Sequence, residues 1–153
     1  MQKLPAHFLI GGSGREKANL KALARKLGVE PAVTFTGFVE EADFPAVYTA
    51  ATLFVMPSVA ELQSIVTMEA LASGLPVVAS NSGALPELVH FGRNGYLYRP
   101  GKISELAACI VKVISDPQRG RRMGRESLKI IQPHDHPRVV ERFEQIYQLL
   151  LKQ

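Results

Sequence analysis

The stretch LFVMPSVAELQSIVTMEALASGLPVVA, Leu53–Ala79, contains two short apolar runs around a segment of helical character. The runs are Leu53–Met56, which ends at a proline, and Val77–Ala79. Continuous apolar runs of this length predict strands that are buried on both faces of a sheet. Between them, Ser64–Ser73 predicts a helix, which Gly74 and Pro76 end. Strand, helix and strand in this order predict a βαβ unit with parallel strands.

The rest of the chain repeats this alternation. We predict strands at His7–Ile10, Val33–Thr36 and Gly95–Tyr98, the last at an edge of the sheet. We predict further helices at Arg15–Leu27, Glu41–Ala51, Leu85–His90, Ile103–Ser115, Asp116–Ile131 and Arg138–Leu151. The expected fold class is therefore α/β, a Rossmann-like doubly wound parallel sheet, in a single domain over residues 1–153.

Composition excludes several other classes of protein. The chain has 153 residues, 46% hydrophobic and 21% charged, which is typical of a globular domain and excludes intrinsic disorder. No stretch reaches the roughly 18 apolar residues that a membrane-spanning helix needs. The single cysteine, Cys109, excludes an internal disulfide and favours a reducing compartment, so we expect a cytoplasmic location.

The formal charge of +4 is concentrated in a cluster of arginines with few aromatic residues among them. The cluster consists of Arg119, Arg121, Arg122 and Arg125. Nucleic-acid surfaces combine a broader basic face with stacking rings, so we expect no nucleic-acid partner. We interpret the cluster as a solvated helix face, and contact with a phosphate or a lipid headgroup is the alternative.

The start of the predicted helix at Ser64 has the features of an anion site. With Ser64 as N-cap, the backbone N–H groups of Ile65, Val66 and Thr67 are expected to be partly free at the positive end of the helix dipole. Phosphate groups bind at such positions. Glu69 lies roughly 7.5 Å further along the helix, a separation comparable to that between a diphosphate and its ribose hydroxyls.

Two carboxylates flank this helix start. Glu61 lies in the preceding loop, where it would accept hydrogen bonds from sugar hydroxyls, and Glu69 is a good acceptor for a vicinal diol. Taken singly, each has an ordinary structural explanation, Glu61 as a loop carboxylate near a helix start and Glu69 as a solvated or ion-paired helix residue. Their joint position after an apolar strand that ends in proline favours a ligand site.

Glu61–Ala79 resembles the E-x7-E signature of retaining GT-B glycosyltransferases of family four, and the similarity extends along nearly the whole chain. In that family the usual form is E-G-F-G-x-x-x-x-E-A-x-A-x-G-x-P-V-V-A. Four other segments resemble the family's motifs V-G-x-G-P-E-R, V-x-F-x-G-x-V, G-G-x-P-E-I-V and G-x-N-G-x-L, in this order: Leu9–Glu16, Val33–Val39, Ser82–Val89 and Gly92–Leu97. The resemblance implies a GT-B fold, of which this chain corresponds to most of the C-terminal half.

By this resemblance, Glu69 binds the ribose of a nucleotide-sugar and Glu61 the donor sugar. Backbone amides at the sugar and diphosphate come from Gln63, Ser64, Ile65 and Val66, and the turn Gly37-Phe38-Val39 lies near the base. Gly11 and Gly12 belong to a strand-to-helix loop that either contacts the ligand or is a simple turn. The reaction implied is transfer of a hexose-type sugar with retention of configuration, without a metal or another cofactor, to an acceptor that the sequence does not identify.

The sequence departs from the family's pattern in two ways. Leu62 and Ser64 replace the glycines that usually follow the first glutamate, which narrows the room for backbone approach and affects the choice of donor sugar. The family's strand with G-R-L…K-G and its N-terminal acceptor domain are expected to be absent, so we expect this chain to be inactive by itself. The alternatives are a separate nucleotide-binding subunit and a non-catalytic interaction module, each completing an enzyme with a partner chain.

Three further features bear on partners. His134-Asp135-His136 lacks an ordered second group of ligands, so we expect an exposed loop and no metal site.

The last predicted helix has a broad apolar face with Val139, Val140, Phe143, Ile146, Tyr147 and Leu150. In the resembled family this helix crosses to the other domain, so here we expect an exposed patch that promotes self-association. Membrane contact stays open, with a full-length protein peripheral to the inner membrane face as one alternative.

Overall fold

The structure, a computed structural model, describes residues 6–151. The chain forms two compact units that divide between Val47 and Tyr48. The predicted single domain over residues 1–153 stays a prediction. No helix within residues 6–151 is long and apolar enough to cross a membrane.

The first unit is built on two parallel strands. They pair from Phe8 with Val33 to Gly11 with Gly37, with a register shift after Ile10. The elements are β1 (Phe8–Gly11), α1 (Lys17–Lys26) and β2 (Val33–Gly37), with short 3-10 turns at Glu30–Ala32 and Glu41–Asp43. The predicted helix Glu41–Ala51 is shorter than expected, because its first residues form the second 3-10 turn and α2 covers only Phe44–Thr49.

The second unit contains a three-stranded sheet in the order β3-β4-β5, with all strands parallel as predicted. The strands are β3 (Phe54–Met56), β4 (Val77–Ser80) and β5 (Gly95–Tyr98), so β5 lies at an edge. The helices are α3 (Ile65–Ala72), α4 (Leu85–Leu88), α5 (Ile103–Ile114), α6 (Pro117–Ile131) and α7 (His136–Leu150).

The central strand β4 carries the core on both of its faces, as its apolar run predicts. Val77 and Ala79 pack with Leu71, Leu85 and Leu88 from α3 and α4. Val78 points the other way, because side chains alternate along a strand, and it packs with Tyr96, Tyr98, Val113 and Met123 from β5, α5 and α6. Helices therefore cover both faces of a parallel sheet, which is the Rossmann-like arrangement.

The last helix differs from the prediction at its start. It begins at His136 instead of Arg138, because Pro137 occupies its first turn, where a missing N–H removes no helical hydrogen bond. None of the described residues of α7 is buried. The large apolar side chains exposed along it include Phe143, Ile146, Tyr147 and Leu150. The expected exposed apolar patch is present, and self-association through it stays a prediction.

Candidate functional site

The loop between β3 and α3, residues 57–64, is held by hydrogen bonds to the end of β4 and the turn that follows it. Parallel pairing of β3 with β4 brings the carboxyl ends of these strands to the same edge of the sheet. Three hydrogen bonds end on carbonyl oxygens of the loop: Ser80 Oγ donates to Ser58, Ser82 Oγ to Val59 at 2.8 Å, and Ala84 N to Glu61 at 3.0 Å. These hydrogen bonds fix the backbone of Glu61.

Gly83 allows this close approach of the two loops. Its φ of +55° lies in the left-handed region, and a Cβ built on it would lie 2.2 Å from the carbonyl oxygen of Glu61. A side chain at this position therefore forces the backbone of Glu61 to move. The turn Asn81-Ser82-Gly83 is predictable from its residue types, but its contact with Glu61 is not.

Ser64 lies at the N-cap position of α3, but its side chain does not cap the helix. Its hydroxyl lies 2.7 Å from the hydroxyl of Thr67, and no backbone amide donates to it. The Thr67 amide donates to the carbonyl oxygen of Ser64 at 3.0 Å. The expectation of a free amide at Thr67 was therefore wrong, because the first turn of α3 closes on the Ser64 carbonyl group.

Ile65 and Val66 provide the free amides of this helix start. Neither backbone N–H has an acceptor within residues 6–151. Their side chains are 64% and 40% exposed, so a ligand can approach this turn from solvent. Two unpaired N–H groups at the positive end of a helix dipole favour a bound anion.

Glu69 is oriented by Tyr48, a residue that the sequence analysis did not single out. The Tyr48 hydroxyl donates to Oε2 of Glu69 at 2.9 Å and lies 3.3 Å from the carbonyl oxygen of Val66. The Tyr48 ring is 8% exposed and packs edge-on against Phe54, with ring centroids 5.9 Å apart. Burial, together with the bond to Glu69, raises the pKa of Tyr48, so the phenol stays protonated and donates.

A tyrosine on the apolar face of a predicted helix gives little sign of such a role. At the end of Glu41–Ala51, Tyr48 is readily interpreted as a core aromatic, and its burial agrees with this. A buried tyrosine hydroxyl usually finds a hydrogen-bond partner. That general rule predicts a partner but does not identify Glu69, which lies 21 residues further along the chain.

Neither acidic residue of the predicted pair forms a salt bridge within residues 6–151, and both are half-buried. Glu69 borders a cavity of about 420 Å³ between α3 and the connection from α6 to α7, with Arg138 and His136 on its other side. Glu61 does not line this cavity. Gln63 is exposed in the loop next to Glu61.

The predicted site residues of the first unit lie at the ends of its two strands. The Gly12 amide donates to the carbonyl oxygen of Gly37 at 2.7 Å, which joins the loops that follow β1 and β2. Gly11 ends β1, Phe38 is 73% exposed, and Val39 is half-buried. The donor-binding role of Gly11, Gly12, Gly37, Phe38 and Val39 stays a prediction.

No group of three or more histidine, cysteine, aspartate or glutamate side chains within residues 6–151 could hold a metal ion. The residues of α3 and its loop instead offer unpaired amides for an anion and carboxylates for hydroxyl groups. These are the hydrogen-bonding groups that a phosphate and neighbouring hydroxyl groups need.

Comparison with known proteins finds glycosyltransferases among the relatives and solved structures that the chain resembles. The chain is 36% identical over 110 residues to 2-deoxystreptamine glucosyltransferase of Streptomyces kanamyceticus, covering 72% of this chain and 28% of the relative. The solved structure of Anabaena Alr3699/HepE in complex with UDP-glucose superposes with a TM-score of 0.80 and 31% identity, over 96% of this chain and 41% of that one. The chain thus spans less than half the length of either protein.

A third comparison concerns the fold alone. The C-terminal domain of a glycosyl transferase group 1 family protein from Francisella tularensis superposes with a TM-score of 0.72 at 21% identity, over 84% of this chain and 86% of that one. The α/β fold is therefore that of a GT-B C-terminal domain, as the resemblance implied. The family model for "Glycosyl transferases group 1" matches residues 1–116. This chain belongs to the family of glycosyl transferases group 1.

Proposed function

We propose that this chain is the donor-binding domain of a retaining glycosyltransferase that transfers a hexose-type sugar from a nucleotide-sugar. The amides of Ile65 and Val66 bind the diphosphate, Glu69 accepts hydrogen bonds from the ribose, and Glu61 contacts the donor sugar. The supporting observation is that the first turn of α3 has two amides, those of Ile65 and Val66, without an acceptor among the described residues. Glu61 and Glu69 flank this turn in the sequence, and neither forms a salt bridge within residues 6–151.

The hydrogen bonds that Tyr48 and Ala84 donate support the separate roles proposed for Glu69 and Glu61. Tyr48 occupies one lone pair of Glu69 Oε2, which leaves Oε1 and the remaining lone pair for a vicinal diol. The hydrogen bond from the Ala84 amide fixes the backbone of Glu61 in the loop before α3 begins. In the proposed complex the ligand contacts both acids and its phosphates lie at the first turn of α3.

In the proposed reaction the bond from the anomeric carbon to the diphosphate oxygen breaks. A bond from that carbon to the acceptor oxygen forms on the same face, and the acceptor's proton passes to the leaving diphosphate oxygen. No residue of the chain acts as a nucleophile. The chain contributes positioning of the donor and stabilisation of the negative charge that develops on the leaving group, through the amides of Ile65 and Val66.

The chain alone is proposed not to transfer sugar, because it spans 41% of the length of the UDP-glucose-bound relative. Donor binding is therefore the activity to test. Calorimetry with UDP, GDP and ADP measures binding to the wild type, to Glu69→Gln and to Glu61→Gln. Glu144→Gln on the exposed surface of α7 is the matched control.

We expect one of the three diphosphates to bind, with an affinity about 10- to 100-fold lower in Glu69→Gln and unchanged in Glu144→Gln, because each good hydrogen bond to a carboxylate contributes about 1.5–3 kcal/mol. Glu61→Gln should weaken binding of the matching nucleotide-sugar more than binding of the diphosphate. Equal affinities for all four proteins would contradict the proposal.

A further inference from the structure

A second cavity, of about 450 Å³, lies on the surface of α6 and contains none of the residues proposed for the donor. Two of the residues that line it, Met123 and Tyr96, are buried. The charged side chains that line it are five cations and one carboxylate: Arg93, Arg119, Arg122, Arg125, Lys129 and Glu126.

The cations converge from two separate segments of the chain. Arg119, Arg122, Glu126 and Lys129 recur at helical spacing and share one face of α6. Arg93 comes from the turn before β5 and reaches Glu126, with Nε 3.0 Å from Oε2. A solvated helix face explains the first four residues, but it does not explain why a cation from another segment closes the cavity.

The carboxylates nearby do not balance this charge. Glu126 accepts hydrogen bonds from both Arg93 and Lys129, which lowers its pKa, and Arg119 pairs with Asp116 at 3.5 Å. The guanidinium groups of Arg122 and Arg125 have no hydrogen bond or salt bridge within residues 6–151. Like charges gathered in this way repel one another, and a bound anion reduces this repulsion.

We propose that this cavity binds a phosphate-bearing anion, with Arg122 and Arg125 as the groups that hold it. Two guanidinium forks suit the bidentate geometry of phosphate oxygens. The volume lies within the roughly 300–1,000 Å³ range of small-ligand sites. Stacked bases need open aromatic rings, and Tyr96 is only 4% exposed, with Lys112 Nζ 4.5 Å above its ring. The phosphate belongs either to a soluble ester or to a lipid headgroup.

The test uses two probes on the whole chain. Inorganic pyrophosphate is titrated into ¹⁵N-labelled protein while the amide signals of residues 119–129 are followed. Separately, the protein is sedimented with vesicles of phosphatidylcholine alone and with vesicles that also contain phosphatidylglycerol. Arg122→Gln/Arg125→Gln is compared with Lys26→Gln/Arg142→Gln, which removes the same charge from exposed positions on α1 and α7.

We expect the wild type and the control variant to bind at least one probe, with affinity that falls as salt rises. The Arg122→Gln/Arg125→Gln variant should bind it about 30-fold more weakly. Pyrophosphate binding without vesicle binding indicates a soluble ester, and vesicle binding that requires phosphatidylglycerol indicates a lipid headgroup. Equal binding by the two variants, or no binding of either probe by the wild type, would overturn the proposal. Signals from α3 report on the donor site separately, so failure of one proposal is distinguishable from failure of the other.

Discussion

Replacing Tyr48 with phenylalanine tests the proposed role of Glu69 most selectively. The substitution keeps the ring that packs against Phe54 and removes only the hydroxyl that donates to Glu69 Oε2 at 2.9 Å. The Glu69 carboxylate then becomes free to rotate, and a ligand that uses it must first order it. Ordering one such side chain costs about 0.5–1.5 kcal/mol, so the ligand affinity should fall about fivefold.

The assay compares two nucleoside diphosphates by calorimetry, one with its ribose intact and its 2′,3′-dideoxy analogue. The base is whichever of uracil, guanine and adenine binds best to the wild type. If Glu69 binds the ribose, Tyr48→Phe should weaken binding of the intact nucleotide about fivefold and leave the dideoxy analogue unchanged. If the substitution only distorted the fold, the affinities for both nucleotides would fall equally.

Thermal unfolding provides the control for this variant. The lost hydrogen bond should reduce the free energy of unfolding by about 1 kcal/mol, because water replaces it at a half-buried carboxylate. The reasoning is refuted if Tyr48→Phe weakens the dideoxy analogue as much as the intact nucleotide. It is also refuted if the variant binds the intact nucleotide as tightly as the wild type does.

Three further predictions concern Gly83, the titration of Tyr48 and the apolar face of α7. Gly83→Ala and Gly92→Ala both place alanine at positive φ, at a cost of about 1–2 kcal/mol each. Of the two, Gly83→Ala also brings a Cβ to 2.2 Å from the carbonyl oxygen of Glu61, so it alone should weaken nucleotide-sugar binding. Equal binding by the two variants in calorimetry argues against the role of Gly83. Because the folded-state pKa of Tyr48 is raised, its stabilising contribution is present below the unfolded pKa of about 10 and is progressively lost above it. Above about pH 10, the free energy of unfolding of the wild type should therefore fall more steeply than that of Tyr48→Phe, by about 1.4 kcal/mol per pH unit. Parallel curves in denaturant titrations count against this. Phe143→Ser/Tyr147→Ser on α7 should reduce concentration-dependent association in light scattering, and a wild type that is monomeric at all concentrations contradicts this expectation.

The elements that the sequence predicts best are those with a local pattern. The apolar run Val77–Ala79 predicts a strand buried on both faces, and β4 is packed on both faces by helices. The position of α3 follows in the same way from its flanking strands and from Gly74. A start of α3 with free amides was predicted as well, because helix starts have a fixed geometry.

Most of the remaining contacts connect residues far apart in the sequence. Tyr48 reaches Glu69, and the turn at Gly83 reaches Glu61, neither of which follows from residue spacing. Arg93 joins the arginines of α6 only because the turn before β5 lies next to that helix. The hydroxyl of Ser64 bonds to Thr67 instead of capping α3, a choice between two nearby partners that depends on detailed geometry. Pairing between distant segments therefore accounts for most of what the sequence analysis missed.

The central claim is that the first turn of α3 binds the diphosphate of a nucleotide-sugar. The most direct measurement is a titration of ¹⁵N-labelled protein with the best-binding nucleoside diphosphate, in which each backbone amide signal is followed. We predict that the largest shifts are those of the Ile65 and Val66 amides, because these two N–H groups of the first turn have no acceptor within residues 6–151. The Thr67 amide, which already donates to Ser64, should move less. Saturable binding that leaves the Ile65 and Val66 signals in place would contradict the account.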